Sequence, residues 1–253
     1  LQARLQSAQR ALHHRGPDEL GVETYTISHG SNLPAASLSL GHTRLSIIDL
    51  SHAGHQPMNS SDGRYNIVFN GEIYNYRELR DELKSSGHIF FSNSDTEVLL
   101  AAWERWGVAC LPRLTGMFAF AVFDRKNETL TCVRDAFGIK PFFYSSIEEH
   151  FAFASELPAL IELLPSKPVL NWQRSYDYLV HGDYDSTSDT FLTGVYHLSA
   201  GHFLQINIAT GHLSPPQRWY QPEVQEELDW RFDNAVEQVR EQFLQNIRLH
   251  MRS

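Results

Sequence analysis

The densest supply of chemistry lies in Tyr65-Asn66-Ile67-Val68-Phe69-Asn70-Gly71-Glu72-Ile73-Tyr74-Asn75. Asn70 offers a side-chain amide, and Gly71, lacking a Cβ, lets a ligand approach the backbone closely. Two neighbouring donors of this kind at the end of a buried strand can stabilise an oxyanion. Asn-Gly is also the commonest two-residue hairpin turn, with Tyr74 on a return strand, so these residues alone leave both readings open. Arg44 is a second candidate. Beside a strand end a guanidinium can hold a carboxylate through two parallel hydrogen bonds, although a single arginine is more often a solvated charge. Asp95 is the third. In the first turn of a helix a carboxylate gains roughly 0.3–1 kcal/mol from the helix dipole, so a structural role suffices unless a cation must bind there.

Elements are needed to hold these groups. The segment around Val68 and Phe69 reads as a buried strand that stops at Asn70-Gly71 and hands over to a helix. Leu1, Leu5, Ala8 and Leu12 recur at helical spacing, and His14-Arg15-Gly16-Pro17-Asp18 stops that helix, with Gly16 as the C-cap candidate. Strands are expected over residues 38–40 and 45–48, interrupted at Gly41-His42-Thr43-Arg44 and followed by a turn-rich loop. Asn75 with Glu78, and Ser94 with Glu97, predict two capping boxes that open helices ending near Gly87 and Gly107. Residues 117–123 and 130–133 predict a hairpin, with further short strands at 142–144, 151–154, 195–198 and 202–208. Short helices are expected at 157–164 and 172–180. A polar connector runs from Pro215-Pro216 to Glu227, after which Phe232, Val236, Val239, Phe243, Ile247 and Met251 keep a helical period.

Composition narrows the class. The 253 residues carry 42% hydrophobic side chains, ample for a sizeable core, and a formal charge of −9 without clustered basic residues, which argues against nucleic acid. No apolar run approaches the roughly 20 residues of a membrane helix, and no signal segment is recognisable, so no membrane partner and a cytoplasmic location are expected. Cys110 and Cys132 form no disulfide framework. The 13 histidines show neither a His-x-x-x-His pair nor a Cys-x-x-Cys companion, so no metal is expected.

Taken in order, six stretches make the chain resemble the class II glutamine amidotransferase domain of glutamine-dependent asparagine synthetases. They are His14-Arg15-Gly16-Pro17-Asp18, Arg44-Leu45-Ser46-Ile47-Ile48-Asp49, Asn70-Gly71-Glu72-Ile73-Tyr74-Asn75, Ser94-Asp95-Thr96-Glu97, Gly116-Met117-Phe118-Ala119-Phe120-Ala121 and Arg134-Asp135-Ala136-Phe137-Gly138-Ile139-Lys140-Pro141. The resemblance implies an α+β fold, a four-layer αββα sandwich of two antiparallel sheets of the Ntn-hydrolase type. It divides the chain into an amidotransferase domain over residues 1–212 and a linker and helix over 213–253 that lead into a synthetase domain. L-Glutamine is the implied substrate. Arg44 would hold its α-carboxylate, the backbone of Leu45, Ser46, Ile47 and Ile48 would line the pocket, Asp95 with Glu72 would hold the ammonium, and Asn70 and Gly71 would form the oxyanion hole.

One departure matters. The family attacks glutamine with an N-terminal cysteine whose α-amine can serve as base, whereas residue 1 here is Leu. That cysteine and the first core strand are expected roughly fifteen residues upstream, leaving this stretch without glutaminase activity by itself. No cofactor is expected in it, while ATP and Mg would belong to the synthetase domain of the same polypeptide, and a homodimer is possible for the parent. Two alternatives stand: a non-catalytic glutamine-binding or interaction module, and the amidotransferase half of a related synthetase with a different acceptor. For the pocket itself, loss of Arg44 or Asp95 is expected to weaken glutamine binding with little change in stability.

Overall fold

A computed structural model describes residues 1–27, 35–147, 150–184, 186–224 and 231–252. The chain begins with α1 (Gln2–Leu12), a 3-10 turn, and the antiparallel pair β1 (Glu19–Ile27) and β2 (Ala36–Arg44). A loop containing a second 3-10 turn (His52–Gly54) leads to β3 (Met58–Asn59) and β4 (Tyr65–Ile73), then α2 (Tyr76–Ser85) and α3 (Asp95–Trp106). The hairpin β5 (Gly116–Asp124) and β6 (Thr129–Arg134) follows, then β7 (Phe143–Ile147), β8 (His150–Ala154), α4 (Leu157–Leu163) and α5 (Trp172–His181). The last elements are β9 (Tyr196–His197), β10 (His202–Asn207), β11 (Gln217–Arg218) and α6 (Phe232–His250).

One sheet runs β11-β10-β6-β5-β4-β3, and every pairing in it is antiparallel. Its residues alternate between two cores because strand side chains alternate faces. Ile67, Phe69, Phe118, Phe120 and Val122 face α2 and α3, where they meet Leu79, Leu83, Val98, Leu99 and Trp103. Val68, Ala119, Ala121, Phe123 and Cys132 face the other way, against Leu38 and Leu40 of β2 and Phe142 and Tyr144 near β7. That second β layer consists of two separate sheets, β1-β2 and β8-β7-β9, and α1 and α4 cover β7 and β8 from outside. The result is the expected αββα layering, with its second β layer divided. Both cysteines are buried and free, and burial raises both thiols, Cys110 to about 12.

Several local expectations need correction. Residues 41–44 do not break a strand; β2 runs through them, and α1 packs closely over Gly41, where a Cβ would meet the Leu5 side chain at 2.9 Å. Residues 45–48 form no strand: among the described residues none pairs with them, and Leu45 and Ile47 are about half exposed. Asn75 makes no capping box: its amide instead donates to the Arg113 carbonyl and its Oδ1 accepts from Thr115 N–H, tying α2 to the start of β5. Ser94 does cap α3, accepting from Glu97 N–H, but the Glu97 carboxylate turns back to the N–H groups of Phe91 and Ser92. The Asn-Gly pair is no hairpin turn, because Asn70 and Gly71 lie within β4 opposite Ala119 and Phe118. Trp219, after β11, stacks on Phe118 at 6.0 Å and donates its indole N–H to the Arg134 carbonyl, so this stretch packs with the large sheet.

Candidate active site

The backbone direction of β4 sets the site. Along an antiparallel strand successive N–H groups point to opposite sides. Phe118, opposite Gly71, uses both its N–H and its carbonyl on Asp135, at 3.1 and 2.8 Å, so it turns away from β4. Gly71 therefore directs its own N–H away from β5. On that same side Phe69 N–H donates to Gln56 Oε1 at 2.7 Å and Ile73 N–H donates to Asp95 Oδ2 at 2.9 Å. The Gly71 N–H sits between them, over a cavity of about 220 Å³. The residue must be glycine: its φ is 151°, and a Cβ would lie 2.1 Å from the Met117 carbonyl oxygen.

This cavity brings together Arg44, Leu45, Ile47, Ile48, Asn70, Gly71, Glu72 and Asp95, whose positions in the chain span five decades of residues. Ser46 is the exception among the expected residues. Its N–H donates to Asp18 Oδ2 at 2.8 Å, and it is absent from the cavity wall.

Arg44 is buried, and it is already partnered. Nη1 donates to Glu19 Oε2 at 3.0 Å and to the Ser51 carbonyl at 2.9 Å, while Nη2 donates to the Asp49 carbonyl. Three of its five donors are thus spent on β1 and the following loop. Gly54 makes this possible, since a Cβ there would lie 2.2 Å from Nη2. Asp49 completes the loop: its carboxylate accepts from the Ser51 N–H and hydroxyl and from Asn93 N–H, which hold it below the usual carboxylate range.

Asp95 lines the same cavity, buried at the start of α3. Burial raises its carboxyl to about 6, against the lowering effect of the Ile73 N–H, and the nearby Glu72 carboxylate adds to the rise. A cationic group in the cavity would relieve both. One arginine and two carboxylates lining one cavity offer charges complementary to a zwitterion.

Two further residues belong to the site and were not singled out from the sequence. Gln56 is buried and bridges β4 to α3, donating to Thr96 Oγ1 at 3.2 Å while accepting from Phe69. Nothing in its sequence neighbourhood marks that role. His42 has its Nε2 3.1 Å from the Phe69 carbonyl, which fixes the proton there in the neutral ring. Burial lowers it to about 4, and its Nδ1 is enclosed with no hydrogen-bond partner among the described residues.

His42, Phe69 and Asn70 also line a second cavity of about 330 Å³, which runs between β2 and β8 under α1. Among the described residues, β2 pairs only with β1 and β8 only with β7, so two strand edges open onto this slot. Asn70 Nδ2 is within 3.4 Å of Ser155 Oγ at its far wall.

Residues 1–220 match the family model described as a glutamine amidotransferase domain. The chain belongs to this family. It is 40% identical over 207 residues, 79% of its length, to a putative asparagine synthetase (glutamine-hydrolyzing) of Mycobacterium tuberculosis, covering 31% of that protein. It is 31% identical over 257 residues, 98% of its length, to amidase chry2 of Gibberella zeae, covering 35% of it. The chain thus spans about a third of the length of the curated relatives it matches. Among solved structures it is similar to glutamine phosphoribosylpyrophosphate amidotransferase from B. subtilis, with a TM-score of 0.60 and 19% identity over 85% of this chain and 46% of the other. That likeness shows a shared fold. Of the stretches that carry the resemblance, 134–141 is a knot of main-chain contacts: Asp135 accepts from Phe118, Phe137, Ile139 and Lys140, and Arg134 donates to the carbonyls of Gly138, Lys140 and Leu198.

Proposed function

We propose that this amidotransferase chain binds L-glutamine in the cavity beneath β4 and supplies the glutamine-hydrolysing half of an asparagine-synthetase-like enzyme. The observation that supports the reading is that Arg44, Asn70, Gly71, Glu72 and Asp95 line one cavity, with Ile73 N–H donating to Asp95. The α-carboxylate would take the donors of Arg44 not used by Glu19, Ser51 and Asp49, and the α-ammonium would face Asp95 and Glu72. The side-chain amide then extends toward Asn70 and Gly71, whose two donors would stabilise the oxyanion formed on nucleophilic attack.

The nucleophile in this reading is the N-terminal cysteine that the resemblance implies, carried by an extended segment upstream in the same polypeptide. The slot between β2 and β8 would accept such a segment, since a strand there would pair with both open edges and end next to Asn70. Ammonia released at Asn70 would pass to an ATP-dependent region that amidates aspartate. The test is hydrolysis by the polypeptide extended upstream through that cysteine. Asn70→Ala should lower kcat by about 10²–10³-fold with KM nearly unchanged, because the amide acts mainly in the transition state. An equal loss expressed in KM alone would show Asn70 to be only a structural residue.

A further inference from the structure

Beyond the glutamine cavity, the structure assembles Glu19, His52 and His55 within 4.8 Å of one another, measured between potential ligand atoms. We propose that these three side chains form a binding site for one divalent transition-metal ion of the zinc type. Glu19 Oε1 lies 2.7 Å from His52 Nδ1 and 2.8 Å from His55 Nδ1. Ligands around a tetrahedral zinc at about 2.0–2.2 Å stand roughly 3.4 Å apart, so a slight outward shift of the two rings admits the ion.

Three features favour a metal over a mere ion pair. The His52–Gly54 3-10 turn places residues 52 and 55 on one side, since positions three apart eclipse in that helix, and their rings stand 4.9 Å apart. His55 Nδ1 is enclosed, and among the described residues the Glu19 carboxylate, 2.8 Å away, is the group it faces. The third feature is support for the carboxylate: Glu19 Oε2 is held by Arg44 at 3.0 Å, which fixes its orientation and leaves Oε1 directed at the histidines. The His55 ring is itself fixed by packing over Gly21, where a Cβ would meet its Cε1 at 2.9 Å. Imidazole and carboxylate together suit zinc or cobalt, and three protein ligands leave a coordination position open.

Such an ion would tie the loop carrying Leu45, Ile47 and Ile48 to β1 next to Arg44. Binding is independent of whether glutamine is the substrate. The test is titration of the chain with Co²⁺ followed by visible absorption and displacement by Zn²⁺, with His52→Ala, His55→Ala and the distant His181→Ala. One equivalent of Co²⁺ should give a saturable band, Zn²⁺ should abolish it and raise the thermal midpoint, and the first two substitutions should each weaken binding at least tenfold, or about 1.4 kcal/mol, while His181→Ala does not. His52 is 83% exposed, so its loss leaves folding intact. Absence of a saturable band, or unchanged binding in both His52→Ala and His55→Ala, overturns the assignment.

Discussion

Asp95 and His42 flank β4 and carry opposite consequences of burial. Asp95 in the folded protein titrates at about 6 rather than 3.8, so its protonation is favoured by folding. Its contribution to stability is full below 3.8 and is lost as pH rises through about 6. His42 is lowered from 6.5 to about 4, so its contribution is full above 6.5 and is lost as pH falls toward 4. Each is worth roughly 3 kcal/mol over its window, and they oppose each other. Thermal midpoints measured from pH 7 to 4.5 should therefore shift in favour of His42→Asn relative to wild type as the solution is acidified. A constant difference between the two proteins would show that His42 is not buried neutral. The same Asp95 value governs ligand binding. An ammonium needs the carboxylate, so glutamine affinity should fall as pH drops through about 6, and calorimetry at pH 7.5 and pH 5 checks this; equal affinities at the two values would remove Asp95 from the site.

At the scale of elements, the segment around Arg44 behaves as a scaffold as well as a binding wall. Its guanidinium joins β1 to the loop at Asp49 and Ser51, so Arg44→Ala leaves a carboxylate and two carbonyls without their donor. The expected cost is about 2–3 kcal/mol, read as a lower midpoint in denaturant unfolding, which replaces the expectation from sequence that stability would hardly change. The hairpin β5-β6 was legible because Phe118 to Phe123 are buried on both faces and no charge interrupts them. β1 escaped notice for the opposite reason: its large apolar residues Leu20 and Val22 are exposed, while its buried positions are Gly21 and Ile27. Leu45 and Ile47 mimicked a strand because apolar residues lining a cavity carry the same sequence signal as residues in a sheet. Asn70, Gly71 and Asp95 were legible through their motifs. Gln56, His42 and the Glu19 cluster were not, because their roles depend on contacts 13 to 40 residues away that no local pattern encodes.

For the whole molecule, the layers explain why distant motifs converge. The large sheet presents β4 with one edge toward the cavity lined by Arg44 and Asp95, and the divided second layer leaves a slot beside Asn70. At the far end α6 exposes Phe232, Val236, Val239, Phe243 and Ile247, while Arg252, just beyond it, donates to the Tyr74 carbonyl and pairs with Glu78. Among the described residues no helix is long and apolar enough to cross a membrane. The central claim is that the cavity recognises a free amino acid by its two charged α-groups. Calorimetric titration of the chain with glutamine and with propionamide, a neutral amide lacking both groups, tests it most directly, together with Asp95→Asn, which retains an acceptor for Ile73 N–H. Glutamine should bind wild type and lose at least tenfold, or about 1.4 kcal/mol, in Asp95→Asn, while propionamide should show no comparable binding. Equal binding of propionamide and glutamine, or unchanged glutamine binding in Asp95→Asn, would contradict it.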